Sequence, residues 1–302
     1  MVGPARIATR RTRVPVYAFR AEPGVPQVWV MRFDEAALTE VGAHAHEFPG
    51  IAYFEAGGGA LRLGDRRERI GAGCGYLIRP GEVIAAEDAA ALAGAGGWGL
   101  YFTPEVLGAT DLADGGPADR RLRWRIHPLL RAFADDGPSG FVVPREDRRL
   151  WAGYLGTIER EMHERPAGYQ YSVPAVLVLL LVAVSRLRAA AATPGRSDSL
   201  VDAVLDVIEQ RYRGPYSLVD VAGELSFSPG HLTTEMRERT GRTVQEWITE
   251  RRLIDARRLL AETDLPVAEI GRRCGYEDPG YFARVFRKVH GVPPRDWRAD
   301  AG

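Results

Sequence analysis

Gly275-Tyr276-Glu277-Asp278-Pro279-Gly280-Tyr281-Phe282-Ala283-Arg284-Val285-Phe286-Arg287-Lys288, followed by His290-Gly291-Val292-Pro293-Pro294-Arg295-Asp296-Trp297-Arg298, carries the clearest pattern in the chain. Gly275 and the Glu-Asp-Pro-Gly run are breaker residues that mark a turn and a helix start. Phe282, Val285, Phe286 and Val289 then recur at i, i+3, i+4 and i+7, which predicts one apolar helical face. Arg284, Arg287 and Lys288 fall outside that stripe, and Gly291 with the Pro pair ends the helix. Just upstream, Val267 to Cys274 predicts a short helix with a small residue, Gly271, at a close-packing position.

The pattern occurs once more about fifty residues earlier. Leu218 to Leu225 precedes Ser228-Pro229-Gly230-His231-Leu232-Thr233-Thr234-Glu235-Met236-Arg237. Pro229-Gly230 matches Pro279-Gly280, Leu232 matches Phe282, Met236 matches Phe286, Arg237 matches Arg287 and Gly241 matches Gly291. This is an internal repeat of a helix-turn-helix unit. Thr243 to Leu260 lies between the copies and reads as a helix spanning ~27 Å. That is close to one DNA turn of ~34 Å, so two recognition helices can enter successive major grooves on one duplex face.

From about Leu200 to Arg298 the chain resembles the DNA-binding domain of AraC-type transcriptional regulators. The likeness includes both repeats, the connecting stretch Arg252 to Leu260, and the closing Gly-Val-Pro-Pro-Arg-Asp-Trp-Arg. It implies promoter DNA as a partner and places Gly230, His231, Thr233 and Thr234 near the groove, with Arg237 on the same helix. Gly280, Tyr281, Arg284, Arg287 and Lys288 are the candidates in the second unit. Arg284, two positions after the buried Phe282, is the expected base reader; Arg287 and Lys288, a turn later, are assigned to phosphates. Many relatives carry a long polar or basic side chain at the Thr234 position, so the first unit is expected to read bases weakly.

The 302 residues suffice for two or three domains. Hydrophobic residues are 45% and charged residues 26%, a soluble globular mix. Net charge is zero, so basic character is local. From Gly271 to Arg298 seven Arg or Lys face three acids, whereas from Leu200 onward sixteen face seventeen. Charge alone therefore does not mark the C-terminal third as a DNA binder. Lys288 is the only lysine, and the Arg, Ala and Gly bias suggests a GC-rich genome. Cys74 and Cys274 read as separate packed thiols in a reducing cytoplasm. No secretory leader is read at the N-terminus. Val176 to Val184 is strongly apolar but too short for a bilayer, which needs ~20 residues, so no membrane is expected.

Residues 1–15 show little pattern and read as a tail; by resemblance, a regulatory arm is the other reading. Val14 to about Thr110 reads as β-structure, with runs such as Val28 to Phe33, Gly50 to Glu55 and Gly75 to Ile78 between Gly, Pro and Asp punctuation. The stretches His44 to Glu47, Gly57 to Gly59, Gly71 to Gly75, Arg79 to Glu82 and Gly97 to Glu105 resemble a cupin. Among cupins the likeness is to the effector-binding domain of AraC-type regulators. His44, His46, Tyr53 and Trp98 are the candidate effector contacts. His44 and His46 would share a face. A cupin metal site would also want an acid near Gly50 or Ile51 and a third histidine at Ile84, so two hydrogen-bonded or pocket-lining histidines are the favoured reading. No metal or other cofactor is expected.

A short helix is expected around Arg125 to Ala134. Arg145 to Glu164 predicts an amphipathic helix with Leu150, Trp151, Tyr154, Leu155, Ile158 and Met162 on its apolar face. Val173 to Arg188 is apolar on nearly all sides and should be buried. The pair reads as a dimerisation element, as a closure of the barrel, or both. The expected plan is multidomain α and β: a cupin-like β-barrel or jelly roll (1–140), a helical dimerisation element (141–188), a linker (189–199), and an all-α domain with two helix-turn-helix units (200–302).

The leading function is a sequence-specific, effector-responsive transcriptional regulator in the cytoplasm, not an enzyme. By resemblance it is an activator and homodimer that contacts RNA polymerase. The alternatives are a metal-dependent cupin enzyme fused to a DNA-binding domain, and a dimeric DNA-binding protein with no ligand.

Overall fold

The computed structural model describes residues 5–7, 14–20, 22–86, 92, 94–108, 124–125, 127–134, 137–191 and 199–301. The chain divides into two compact units, Met1–Ala192 and Thr193–Gly302. Most of the stretch expected as a linker, 189–199, lies outside the described residues.

The first unit is a two-sheet sandwich. Its strands are β1 (Ala5–Ile7), β2 (Val16–Ala18), β3 (Val28–Asp34), β4 (His44–His46), β5 (Gly50–Ala56), β6 (Ala60–Leu63), β7 (Arg66–Arg69), β8 (Cys74–Ile78), β9 (Val83–Ala86), β10 (Gly96–Phe102) and β11 (Gly140–Val142). One sheet runs β1-β2-β4-β9-β6-β7 and the other β11-β8-β5-β10-β3. The pairs are antiparallel except β2 with β4. Between them packs a core of Phe54, Tyr76, Ile78 and Tyr101 from one sheet against Leu61, Leu63 and Ile84 from the other. Burial alternates along β3, as a strand with one face on the core requires.

Two local outcomes depart from the expectations for this region, one in the tail and one within the β-stretch. Ala5–Ile7, inside the stretch read as a tail, pairs with β2 in the register Arg6 to Tyr17. Glu35–Val41 is a helix, α1, because Asp34 accepts a hydrogen bond from Ala37 N at 2.9 Å and Glu35 complements the helix N-terminus.

After β10 the chain makes a 3-10 turn at Pro104–Leu107 and a one-turn helix α2 (Arg131–Ala134), shorter than the expected 125–134. Helix α3 (Arg148–Glu164) buries Trp151, Leu155, Ile158 and Met162, and the Trp151 ring lies 5.5 Å from those of Tyr53 and Phe141. Leu150, counted in the same stripe, is exposed. Helix α4 (Tyr169–Ala191) extends beyond the expected Val173 to Arg188 at both ends, and Pro174 falls in its first turns, where proline is better tolerated than in the interior. Its 23 residues are long and apolar enough to cross a bilayer, which corrects the reading of this segment as too short. Val173, Leu177, Leu180, Leu181 and Val184 are buried, but Tyr171 and Leu179 are exposed, so the helix is buried on one face rather than all round.

The second unit is all helical: α5 (Ser199–Arg211), α6 (Leu218–Glu224), α7 (Pro229–Thr240), α8 (Val244–Glu262), α9 (Val267–Arg273), α10 (Pro279–His290) and α11 (Pro294–Ala301). Helix α8 is its spine. Thr243 and Glu246 form a reciprocal capping box at its start, with Thr243 N donating to Glu246 Oε2 at 2.7 Å. Its apolar residues Trp247, Ile248, Leu253 and Ala256 are fully buried. Arg252 donates to the carbonyls of Tyr212 and Gly214, each at 2.7 Å, and Arg251 grips Glu209 with two nitrogens. Asp255 accepts from Tyr212 at 3.0 Å and Arg258 at 2.8 Å. The bonds to Glu209, Tyr212 and Gly214 fasten α5 and the turn after it to the spine.

Candidate nucleic-acid interface

Each helix-turn-helix unit is built by one buried face. In α10, Phe282 and Phe286 are fully buried and pack with Ile270, Cys274 and Tyr276. Burying such a ring stabilises by ~1.5–3 kcal/mol. In α7 the same positions are Leu232 and Met236, also fully buried. Burial follows the same sequence over residues 231–246 and 281–296, position by position. Val289, placed in the apolar stripe by its spacing, is exposed.

The turns match too. Phe227 N donates to Ala222 O at 2.8 Å, and Tyr276 N to Gly271 O at 2.9 Å. Ala222 and Gly271 are therefore equivalent, both small where the recognition helix crosses. A methyl on Gly271 would lie 2.9 Å from the Phe282 ring. Ser226, at φ 60°, occupies the left-handed position that Gly275, at φ 87°, fills in the second unit.

The exposed faces differ. In α10 the Arg284 side chain is 71% exposed, and its guanidinium lies 3.7 Å from the Asp278 carboxylate and 5.9 Å from the Tyr281 ring. Asp278 also caps the helix, accepting from Gly280 N at 2.7 Å. Tyr281, Arg287 and Lys288 are exposed on the same helix. In α7 the hydroxyls of Thr233 and Thr234 donate back to Pro229 O at 2.8 Å and Gly230 O at 3.1 Å. His231 is exposed and stacks on Phe227, with centroids 5.5 Å apart. Arg237 is exposed, and Arg239 is paired with Glu235 at 2.6 Å. Sequence reasoning missed Asp278 and Phe227 as neighbours of the candidate contacts; a capping acid before Pro279 was the available signal for the first.

In the β-unit the four expected effector contacts do not form one site. His44 and His46 stand together on β4, ring centroids 4.9 Å apart. His46 is 3% exposed and stacks on Tyr101 at 4.6 Å, beside Phe48. Neither of its ring nitrogens has a hydrogen-bond partner among the described residues. Burial, helped by His44, lowers its pKa to about 3. His44 Nδ1 lies 2.8 Å from Gly42 O; burial lowers its pKa as well, against that bond. Tyr53 and Trp98 face each other across β5 and β10 but on the opposite side of that sheet, where α3 covers them. Arg32 lies 4.2 Å over the Trp98 ring. Among the described residues no three His, Cys, Asp or Glu side chains stand close enough to hold a metal.

Two helix-turn-helix units on one spine, carried with a separate β-sandwich, define a DNA-binding transcriptional regulator with a ligand-binding domain. A family model described as a helix-turn-helix domain matches residues 221–300, and one described as the AraC-like ligand binding domain matches residues 32–117. The chain therefore combines an AraC-type helix-turn-helix domain with an AraC-like ligand-binding domain. It is 26% identical over 300 residues to the HTH-type transcriptional activator RhaR of Cronobacter sakazakii, covering 94% of this chain and 95% of that protein. It is 30% identical over 105 residues to RhaR of Escherichia coli strain K12, covering 35% of this chain and 37% of that protein. Among solved structures, the C-terminal domain of AraT, a response regulator from Geobacillus stearothermophilus, is 30% identical. It matches over 35% of this chain and 88% of its own, with a TM-score of 0.34.

Proposed function

We propose that this regulator is an activator that takes most of its base specificity from α10. The observation that carries this is the outer face of that helix: Arg284, Arg287 and Lys288 with no acid, above an interior matching that of α7. Arg284 offers a planar fork to guanine O6 and N7, and Asp278 holds that fork before contact. Arg287 and Lys288 take phosphates, with Gly280 and Tyr281 at the helix start close to the groove. The first unit positions the protein through Arg237 and contributes weak readout from His231, Thr233 and Thr234. With their hydroxyl protons held by the helix, the two threonines present methyls and lone pairs.

The open face of α4, with Tyr171 and Leu179 exposed, supports a homodimer through the α3–α4 pair. An activator with this plan contacts RNA polymerase and works in the cytoplasm. The names of the relatives favour regulation over catalysis, and we assign no catalytic residue or cofactor. Selection of a randomised duplex by the full-length protein tests the reading. The expected result is two conserved patches about one turn apart, the sharper one under α10. Equal enrichment of all sequences would defeat it.

A further inference from the structure

The β-unit holds a cavity of about 150 Å³ that none of the four expected effector residues lines. Phe19 and Phe48, centroids 4.4 Å apart, form one wall, and Trp124 contributes another aromatic surface. The polar lining is Glu47, Glu105, Thr103 and Gln27, with two carboxylates and no Arg, Lys or His among the lining residues. Thr103 is 9% exposed, and its backbone N–H is already used, donating to Gln27 O at 3.1 Å. Its hydroxyl Oγ1 and the Oε2 of Glu105 are both buried and have no hydrogen-bond partner among the described residues. A buried acceptor left unmatched is costly, more so on a carboxylate, and a ligand that donates to it removes that cost.

We propose that this cavity is the effector site and that it takes a small organic cation, an amine of about six to ten non-hydrogen atoms. A cavity of ~150 Å³ accepts a molecule near the size of benzene. The ammonium donates to Glu105, the aromatic faces of Phe19, Phe48 and Trp124 favour a cation, and Thr103 with Gln27 serves a second polar group. An anionic ligand would meet two carboxylates and no compensating charge. The assignment rests on the β-unit being a ligand-binding domain.

The test is calorimetric titration of the full-length protein with benzylamine, benzyl alcohol and sodium benzoate at constant ionic strength. The three probes share shape and differ in charge. Benzylamine is expected to bind at least about tenfold tighter than either of the others. Glu105→Gln should weaken it by about tenfold or more and Thr103→Val by severalfold, while Glu55→Gln, on the exposed end of β5, should change nothing. Melting curves of each variant show that it is folded, and Thr103→Val carries the test if Glu105→Gln is not. The proposal is overturned if benzyl alcohol or benzoate binds as tightly as the amine. It is equally overturned if Glu105→Gln leaves amine affinity unchanged, or if none of the three binds at about 10 mM. A gel shift on a selected DNA site separates the two levels of failure. Intact sequence-specific binding without amine binding removes the cavity assignment alone; loss of sequence-specific binding removes the regulatory reading.

Discussion

The α6–α7 and α9–α10 units are the same object inside and different objects outside. Leu232 and Met236 do for one what Phe282 and Phe286 do for the other, at the same depth. Outside, α7 balances Arg237 and Arg239 with Glu235 and Glu238, whereas α10 carries three cations and no acid of its own, with Asp278 at its cap facing Arg284. A helix makes this separation possible: the 3.6-residue period assigns folding to one stripe and leaves the opposite stripe free for chemistry. The turns differ in a second way. Gly275 adopts its left-handed conformation without steric cost, while Ser226 holds the same conformation at a cost of ~1–3 kcal/mol.

The largest effect should come from the tighter turn. Gly275→Ala puts a methyl against the Tyr212 carbonyl and the Arg252 guanidinium at a positive φ. We expect a loss of about 3 kcal/mol or more in denaturant titration of the helical unit. A loss below about 1 kcal/mol would mean that the two turns are equally permissive. Next is Arg284→Ala, which should reduce discrimination at one or two base pairs by ~1–3 kcal/mol in a competitive binding assay, whereas Thr234→Ala changes it by less than ~0.5 kcal/mol. A uniform loss of affinity with Arg284→Ala, no position losing selectivity, would move that residue to the phosphates. Ser226→Gly should raise stability by about 1 kcal/mol, read as a higher denaturation midpoint; no gain would show that the serine is unstrained. The smallest effect is on salt dependence. Lys288→Ala should lower the slope of log affinity against log salt by ~1, and Glu238→Lys, its counterpart on α7, should raise it by ~1. An unchanged slope in the second would place α7 away from the phosphates.

The recognition helices were legible because their ends are punctuated by Pro-Gly at the start and Gly241 or Gly291 at the stop, and because aromatic or aliphatic residues mark the buried stripe. Ser226 was not, since serine does not announce a left-handed turn; only the match with Gly275 in three dimensions shows it. The effector candidates failed as a set for a related reason. Both faces of the β5–β10 pair are buried, one against the other sheet and one against α3, so burial of Tyr53 and Trp98 does not say which side they serve. Helix α1 was hidden by its β surroundings, and α4 exceeds the apolar stretch Val173 to Arg188 at both ends because Tyr169 to Ser172 and Ala189 to Ala191 lack the large aliphatic residues that mark its middle.

His46 makes the β-unit a proton-linked fold. An unfolded chain takes up a proton on this imidazole near pH 6.5, but the folded one, with both ring nitrogens enclosed, resists until about pH 3. Across that interval protons bind the unfolded state in preference, so acid competes with folding as a ligand would. Its full stabilising contribution is present above pH 6.5 and fades as pH falls through the interval. At pH 4.5 the deficit amounts to about 2–3 kcal/mol from this one ring. Melting the protein at pH 7.5 and 4.5 should show the loss, and His46→Phe should remove that share of it; an equal loss in the variant would assign the acid sensitivity to other groups.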